Sequence, residues 1–174
     1  MTGIGNLGAL LEELHRAESD LAAEYREVAR RTADEPDVHH MCGTLAGQCD
    51  RHCAAVRALA GRHRLKLPDD DAGPRAAARV CRVAVEATGE ATGEGHGHGR
   101  IPASGARLLG YLRELFLAVE RVDLHWIVAG QVAQALRDAD FLEQVTVLHG
   151  ETLAQAGWLK TTIRETAPQV ILAG

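Results

Sequence analysis

The sequence predicts an all-α protein, an antiparallel four-helix bundle with a long crossover between the second and third helices. Apolar residues recur at alternating spacings of three and four along four long segments, which is the period of a helix that buries one face. Aromatic residues make up only 3% of the chain, while alanine and leucine are abundant, and this composition favours helix over sheet. Two of the connections are short and one spans about forty residues, which predicts two helical hairpins joined by the crossover.

The first hairpin is predicted to consist of helices at about 7–31 and 36–63. Asn6 is available as an N-cap for the first helix, and Pro36 suits the first turn of the second, where its missing N–H costs nothing. The core-facing residues of the first helix are predicted to be Leu7, Leu11, Leu14, Glu18, Leu21, Tyr25 and Val28. Those of the second helix are predicted to be Val38, Cys42, Leu45, Cys49, His52, Val56 and Leu59.

The second hairpin is predicted to consist of helices at about 104–137 and 140–166. Asp140 and Glu143 have the spacing of a capping box at the start of the fourth helix, and Pro168 is expected to close it. The core stripe of the third helix comprises Leu108, Leu112, Leu115, Val119, Val122, Trp126, Ala129 and Ala133. That of the fourth comprises Phe141, Val145, Leu148 or His149, Thr152, Ala156, Leu159 and Ile163.

The crossover, at about 64–103, differs in composition from the helices. Half of the 18 glycines fall between Gly61 and Gly110. In residues 75–87 the apolar side chains would share one face of a helix, which predicts a short helix there. Residues 88–100, by contrast, contain five glycines and no apolar residue larger than alanine. We expect this second stretch to be flexible. The length of 174 residues fits one domain spanning 1–174.

Composition excludes several function classes. The net charge is −5, and basic residues are scattered among acidic ones, which argues against a nucleic-acid surface. No apolar run approaches the ~20 residues of a membrane span, and no signal peptide is visible at the N-terminus. We therefore expect a cytoplasmic protein with neither nucleic-acid nor membrane partners, whose four cysteines are reduced thiols.

Two of the predicted core stripes contain an ionisable residue in their middle. Glu18 stands where the first helix should carry a leucine, and His52 occupies the corresponding place on the second helix. A buried carboxylate costs several kcal/mol unless it is paired or coordinated. Glu18 precedes Glu35, the centre of the turn, by 17 residues, and His52 follows it by 17. The two side chains should therefore meet at one level, as a metal site or as a hydrogen-bonded pair.

The second hairpin offers a weaker pair of candidates. His149 lies 11 residues after Asp138, which is near the turn, and Asp123 lies 15 residues before it. The offset of four residues corresponds to about 6 Å of helix rise, so contact is possible. Glu120 is the alternative acid, although it is nearer the edge of the stripe.

With these residues the chain resembles the ferritin-like superfamily of ferritins, bacterioferritins and rubrerythrins. In that family two helices each supply one Glu, and the other two each supply a Glu-x-x-His motif. The resemblance implies that Glu18 is the first-helix glutamate and that His52 and His149 are the histidines of the two motifs. Glu120 or Asp123 would stand for the acid of the third helix.

The chain departs from the family at the two bridging glutamates. Cys49 precedes His52 by three residues, and Thr146 precedes His149 by three. A dinuclear centre needs carboxylates that reach both ions, so we expect at most one tightly bound Fe, Mn or Zn ion per chain, or an empty core. The predicted metal ligands are Glu18, His52 and His149, with Asp123 or Glu120 and with Cys49 as a weaker candidate.

Two functions therefore compete at this point. One is a ferritin-like protein that binds a single metal ion in its core, in which an open coordination position supports redox chemistry. The other is a non-catalytic bundle with a vestigial site, which serves as a binding or oligomerisation module. Under either function we expect that the chain can form a homodimer. The sequence leaves open whether the protein is an enzyme, because no residue indicates a substrate.

Overall fold

The computed structural model describes residues 3–68, 79, 80, 82 and 103–172. This part of the chain contains four helices and no strand, namely α1 Gly3–Arg31, α2 Pro36–Arg62, α3 Ala103–Leu136 and α4 Ala139–Leu172. α1 packs along α2, α3 packs along α4, and α1 also packs against α3. α2 and α4 approach each other at few positions. The predicted all-α four-helix bundle is confirmed.

Contacts at the helix ends define the direction of each helix. Arg62 and His63, at the end of α2, form ion pairs of 3.3 and 3.4 Å with Asp138 in the α3–α4 turn. At the other end of the bundle, Glu35 before α2 lines a cleft together with Gly105 near the start of α3. α3 therefore runs parallel to α2 and antiparallel to α1, and the chain between α2 and α3 connects opposite ends of the bundle.

The predicted core stripes are buried. Every stripe residue is less than a tenth exposed except four partly buried ones, which are Leu108, Leu148, His149 and Ile163. The amphipathic periodicity of the sequence therefore identified the inward face of all four helices.

The turn between α3 and α4 differs in detail from the prediction. Arg137 adopts a left-handed conformation with φ of 55°, and the amide of Asp138 donates to the carbonyl of Ala133 over 3.2 Å. These features form a Schellman motif. The Asp138 carboxylate then accepts the amide of Phe141 at 2.9 Å. The expectation of a capping box at Asp140 is wrong, because the preceding aspartate already caps the helix.

Two predicted helix ends also need correction. α1 begins at Gly3, so Asn6 lies within the helix and is not its N-cap. α4 continues through Pro168 to Leu172. Val170 in this last turn is 8% exposed and packs so closely on Gly105 that a Cβ there would lie 3.0 Å from a Val170 methyl group. We attribute the continuation to this packing, which offsets the backbone hydrogen bond that the proline removes.

The crossover is described at only a few positions. Arg79, Val80 and Arg82 are helical, and Val80 is buried. Most of the predicted short helix 75–87 and the whole of the glycine-rich stretch 88–100 lie outside the described residues. No helix in the described part of the chain is long and apolar enough to cross a membrane.

Candidate functional site

The two ionisable residues of the core stripes meet at the centre of the bundle. Nδ1 of His52 lies 2.8 Å from Oε1 of Glu18, and both side chains are fully buried. The contact predicted from their equal distance to the turn is therefore present. It joins α1 to α2 in a region where the surrounding stripe residues are apolar.

A second carboxylate faces the other nitrogen of the same imidazole. Nε2 of His52 lies 3.1 Å from Oε2 of Glu151 on α4, and this carboxylate is 36% exposed. Arg51 approaches Glu151 at 3.7 Å from the surface. The structure thus forms a continuous line of charged groups from the solvent to the core: Glu151, His52 and Glu18.

Trp126 gives the buried carboxylate of Glu18 a second hydrogen-bond donor. Its indole N–H donates to Oε1 of Glu18 over 2.7 Å, and its ring stands edge-on to that of His52 with centroids 5.9 Å apart. Oε1 therefore accepts from two groups. Oε2 of Glu18 is buried, and no hydrogen-bond partner for it lies among the described residues.

Two amides extend the network along the seam between α2 and α4. Gln48, one turn before His52, donates to Oε2 of Glu151 over 2.6 Å. Gln155, one turn after Glu151, donates to Oε1 of Gln48 over 2.9 Å and accepts the Tyr25 hydroxyl at 3.1 Å. These polar contacts lie between α2 and α4, whose backbones come close at few positions. Through Tyr25 they also reach α1.

Sequence reasoning missed Glu151, Gln48 and Gln155 as members of the site. A signal was available for the amides, because Gln48 precedes His52 by four residues and Gln155 follows Glu151 by four. Residues at that spacing share a helix face. The partner carboxylate itself lies at the edge of the α4 stripe, where a solvent-exposed position is the ordinary expectation.

The surroundings of His52 favour its protonated form. Burial alone would lower the pKa of His52, but the hydrogen bonds and negative charges of Glu18 and Glu151 outweigh that effect, so its pKa lies above its usual value of 6.5. Partial burial raises the pKa of Glu151, but the hydrogen bonds from His52 and Gln48 more than offset it and the net shift is downward. An imidazolium can donate one hydrogen bond to each of the two carboxylates.

The nearby thiol and phenol are held in their neutral forms. Burial and then the Glu18 carboxylate raise the pKa of Cys49 well above its usual value. Burial and then Cys49, Cys42 and Glu18 do the same to the pKa of Tyr25. Without a bound metal ion, Cys49 is therefore a neutral thiol that is a weak hydrogen-bond donor.

The remaining candidate ligands lie elsewhere. Nε2 of His149 lies 2.6 Å from Oδ1 of Asp123, and both side chains are partly buried. The structure thus selects Asp123 over Glu120 as the partner of His149. Glu120 is 44% exposed and approaches Lys160 at 3.8 Å.

The six predicted ligands therefore divide among three places: the Glu18–His52 pair with Cys49 beside it, the Asp123–His149 pair, and the exposed Glu120. Among the described residues, no group of three or more His, Cys, Asp or Glu side chains has the arrangement needed to hold a metal ion. Metal binding by these residues stays a prediction.

A further buried carboxylate lies on α1. Glu24 is 2% exposed, and Oε1 lies 2.6 Å from Nε of Arg79 in the crossover, which also approaches Asp20 at 3.1 Å. Burial raises the pKa of Glu24 to about 7, although the positive charges of Arg79 and Arg121 oppose that shift. This ion cluster fixes part of the crossover against α1.

Comparison with protein-family models, with curated proteins and with solved structures found no match to this chain. The ferritin-like resemblance therefore stays a prediction. The class of protein is an all-α four-helix bundle with a Glu–His–Glu network that runs from the partly exposed Glu151 to the buried Glu18.

Proposed function

We propose that this protein is a non-catalytic helical bundle that acts through protein–protein association, and that its buried charged network is structural. One observation carries the structural role of the network: both ring nitrogens of His52 face carboxylates, from Glu18 on α1 and Glu151 on α4. An imidazole whose two nitrogens both donate has no lone pair left for a metal ion or for a substrate proton.

The network has the properties of a device that fixes helix register. Glu18 contacts groups on α2 and α3, and His52 contacts groups on α1 and α4. An apolar core of leucine and alanine permits several rotations of one helix against another. Buried ionic groups that need partners at fixed positions penalise those alternatives, and this use of buried polar groups is known from other helical assemblies.

Among the described residues, the thiol and the phenol nearest the network are not activated as nucleophiles, which supports a non-catalytic role. The Cys49 thiol has a raised pKa and is fully buried, so it is neither ionised at neutral pH nor accessible. The Tyr25 hydroxyl donates a hydrogen bond to Oε1 of Gln155, and the pKa of Tyr25 is raised as well. Neither group has a lowered pKa, which is one of the ways in which a protein activates a nucleophile.

A second candidate function is the binding of one Fe, Mn or Zn ion. The observation that favours it is the buried Oε2 of Glu18, for which no partner lies among the described residues. If His52 were neutral, Glu18, His52 and Glu151 would supply two carboxylates and one imidazole, a set that suits these ions. In the structure the two carboxylates face the two ring nitrogens of His52, one on each side, which favours the structural role.

Metal content separates the two candidates. The protein would be purified without a metal-affinity column, its metals determined by elemental analysis, and its thermal unfolding followed with added Zn(II), Mn(II) or anaerobic Fe(II). We expect no stoichiometric metal and no increase in Tm, since only a ligand of the native state raises it. Glu18→Gln would be compared with Glu165→Gln, an exposed position on α4. A stoichiometric metal that is retained by Glu165→Gln and lost by Glu18→Gln would establish the second candidate instead.

A further inference from the structure

The outward face of α3 carries an apolar stripe that no other part of the described structure covers. Leu117, Leu124 and Val128 are 56%, 63% and 48% exposed. On a helix of about 3.6 residues per turn, Leu124 and Val128 lie within about 20° of Leu117. The buried stripe of the same helix, which includes Trp126, lies on the opposite side. Exposed apolar residues that line up in this way are typical of an association surface.

The charges beside this stripe have mirror symmetry along the sequence. Arg113 and Glu114 precede Leu117 by four and three residues, and Glu120 and Arg121 follow it by three and four. Arg113 and Glu120 lie about 40–60° to one side of Leu117, whereas Glu114 and Arg121 lie about 40–60° to the other side. Each flank of the stripe therefore carries one positive and one negative charge, on either side of Leu117.

We propose that α3 pairs with α3 of a second copy of this chain, antiparallel and about a twofold axis at Leu117. In such a pair each flank faces the same flank of the partner, with the order of its residues reversed. Arg113 then faces the second copy's Glu120, and Glu114 faces its Arg121, each within about 1.5 Å of equal height. The axis repeats both contacts, so the dimer contains four ion pairs around a Leu117–Leu117 contact.

Self-association explains this surface better than a different partner does. A heterologous partner would require complementary charges but no symmetry about one leucine. The same register places Gly110 opposite the second copy's Leu124, where the absence of a side chain leaves room for the leucine. Glu120 is free to form the pair, because its approach to Lys160 is long and exposed and such contacts contribute little.

Oligomeric state tests the proposal. Sedimentation equilibrium of the full chain over a range of concentrations should give a mass twice that of one chain. Leu117→Glu brings two carboxylates together at the axis and should raise the dissociation constant by more than tenfold. Val147→Glu changes an equally exposed residue on α4, 57% exposed, and should leave the constant unchanged. A monomer at every concentration, or a dimer that tolerates Leu117→Glu and is lost in Val147→Glu, would overturn it.

Charge reversal tests the antiparallel register. Arg113→Glu and Glu120→Arg should each weaken the dimer, because each places like charges opposite one another, and the double variant should restore it. Equal weakening in the double variant would show that this register is wrong. Helix content measured by circular dichroism verifies that each variant is folded.

This inference rests on the proposed function but can fail separately from it. If the protein is found to be a monomer that contains no metal, the proposed dimer is wrong. Association with a different protein then remains as the function. A stoichiometric core metal would overturn the proposed function whatever the oligomeric state.

Discussion

The indole N–H of Trp126 donates to the same oxygen of Glu18 that faces His52, over 2.7 Å. Trp126 lies on α3 and Glu18 on α1, 108 residues apart. Because Glu18 also contacts α2, this single carboxylate oxygen ties three helices together at one level. The apolar core therefore has a polar centre whose hydrogen bonds come from fixed directions.

The energies of Glu18 and His52 should be strongly coupled. Glu18→Leu takes one of the two carboxylates from His52, and His52→Leu leaves the buried Glu18 without its imidazole. Each change should lower the free energy of unfolding by about 3–5 kcal/mol. The double variant removes both charges and should be less destabilised than the sum of the single variants. Urea denaturation of all four proteins gives the coupling energy. Additive effects would mean that the two side chains do not interact.

Trp126→Phe should test the hydrogen bond separately from the packing. The change keeps an aromatic ring but removes the only indole donor to Glu18, and we expect a loss of about 1–3 kcal/mol of stability. Trp158→Phe is the control, because Trp158 is only partly buried against the core. If both variants lose the same stability, ring volume and not the donor is responsible.

Stability should fall at alkaline pH because of His52. Its pKa is raised in the folded state above 6.5, so the folded state retains the proton when the unfolded state releases it. The stabilisation is complete below pH 6.5 and is lost as the pH rises through the folded-state pKa. Urea denaturation between pH 6 and 10 measures this loss. The decline should be shallower in the Glu18→Leu and His52→Leu double variant, and an identical decline there would exclude His52 as its source.

Glu24 should make the stability depend on pH in a lower range than His52 does. Its folded-state pKa is about 7, so between its ordinary pKa of 4.5 and pH 7 the folded protein binds a proton that the unfolded chain has released. Stability should therefore fall as the pH rises through that interval. Glu24→Gln cannot ionise and should remove this slope. An unchanged slope in the variant would assign the titration to a different group.

Arg137→Gly should stabilise the protein. The left-handed backbone at this position, with φ of 55°, is strained for arginine and relaxed for glycine, and we expect a gain of about 0.5–1 kcal/mol. Arg137→Ala retains the strain and serves as the control. Thermal unfolding measures both variants. If alanine stabilises as much as glycine, the loss of the arginine charge is the cause.

The sequence alone determined the helices, their inward faces and the equal height of Glu18 and His52. These features are local: the spacing of apolar residues defines the buried face, and the number of residues on each side of a short turn defines the level at which two side chains meet. Local rules failed where packing decides. Pro168 did not end α4, because the contact between Val170 and Gly105 holds the last turn in the bundle.

Only the tertiary structure decided which groups complete the site. Glu151 reaches His52 across the seam between α2 and α4, and Trp126 directs its N–H at Glu18 from α3. The tertiary structure also decided that Asp123, and not Glu120, is the partner of His149. All three outcomes depend on how far each helix is rotated about its axis relative to a neighbour distant in sequence. Helical periodicity identifies a face but fixes neither that rotation nor the reach of a side chain at its edge.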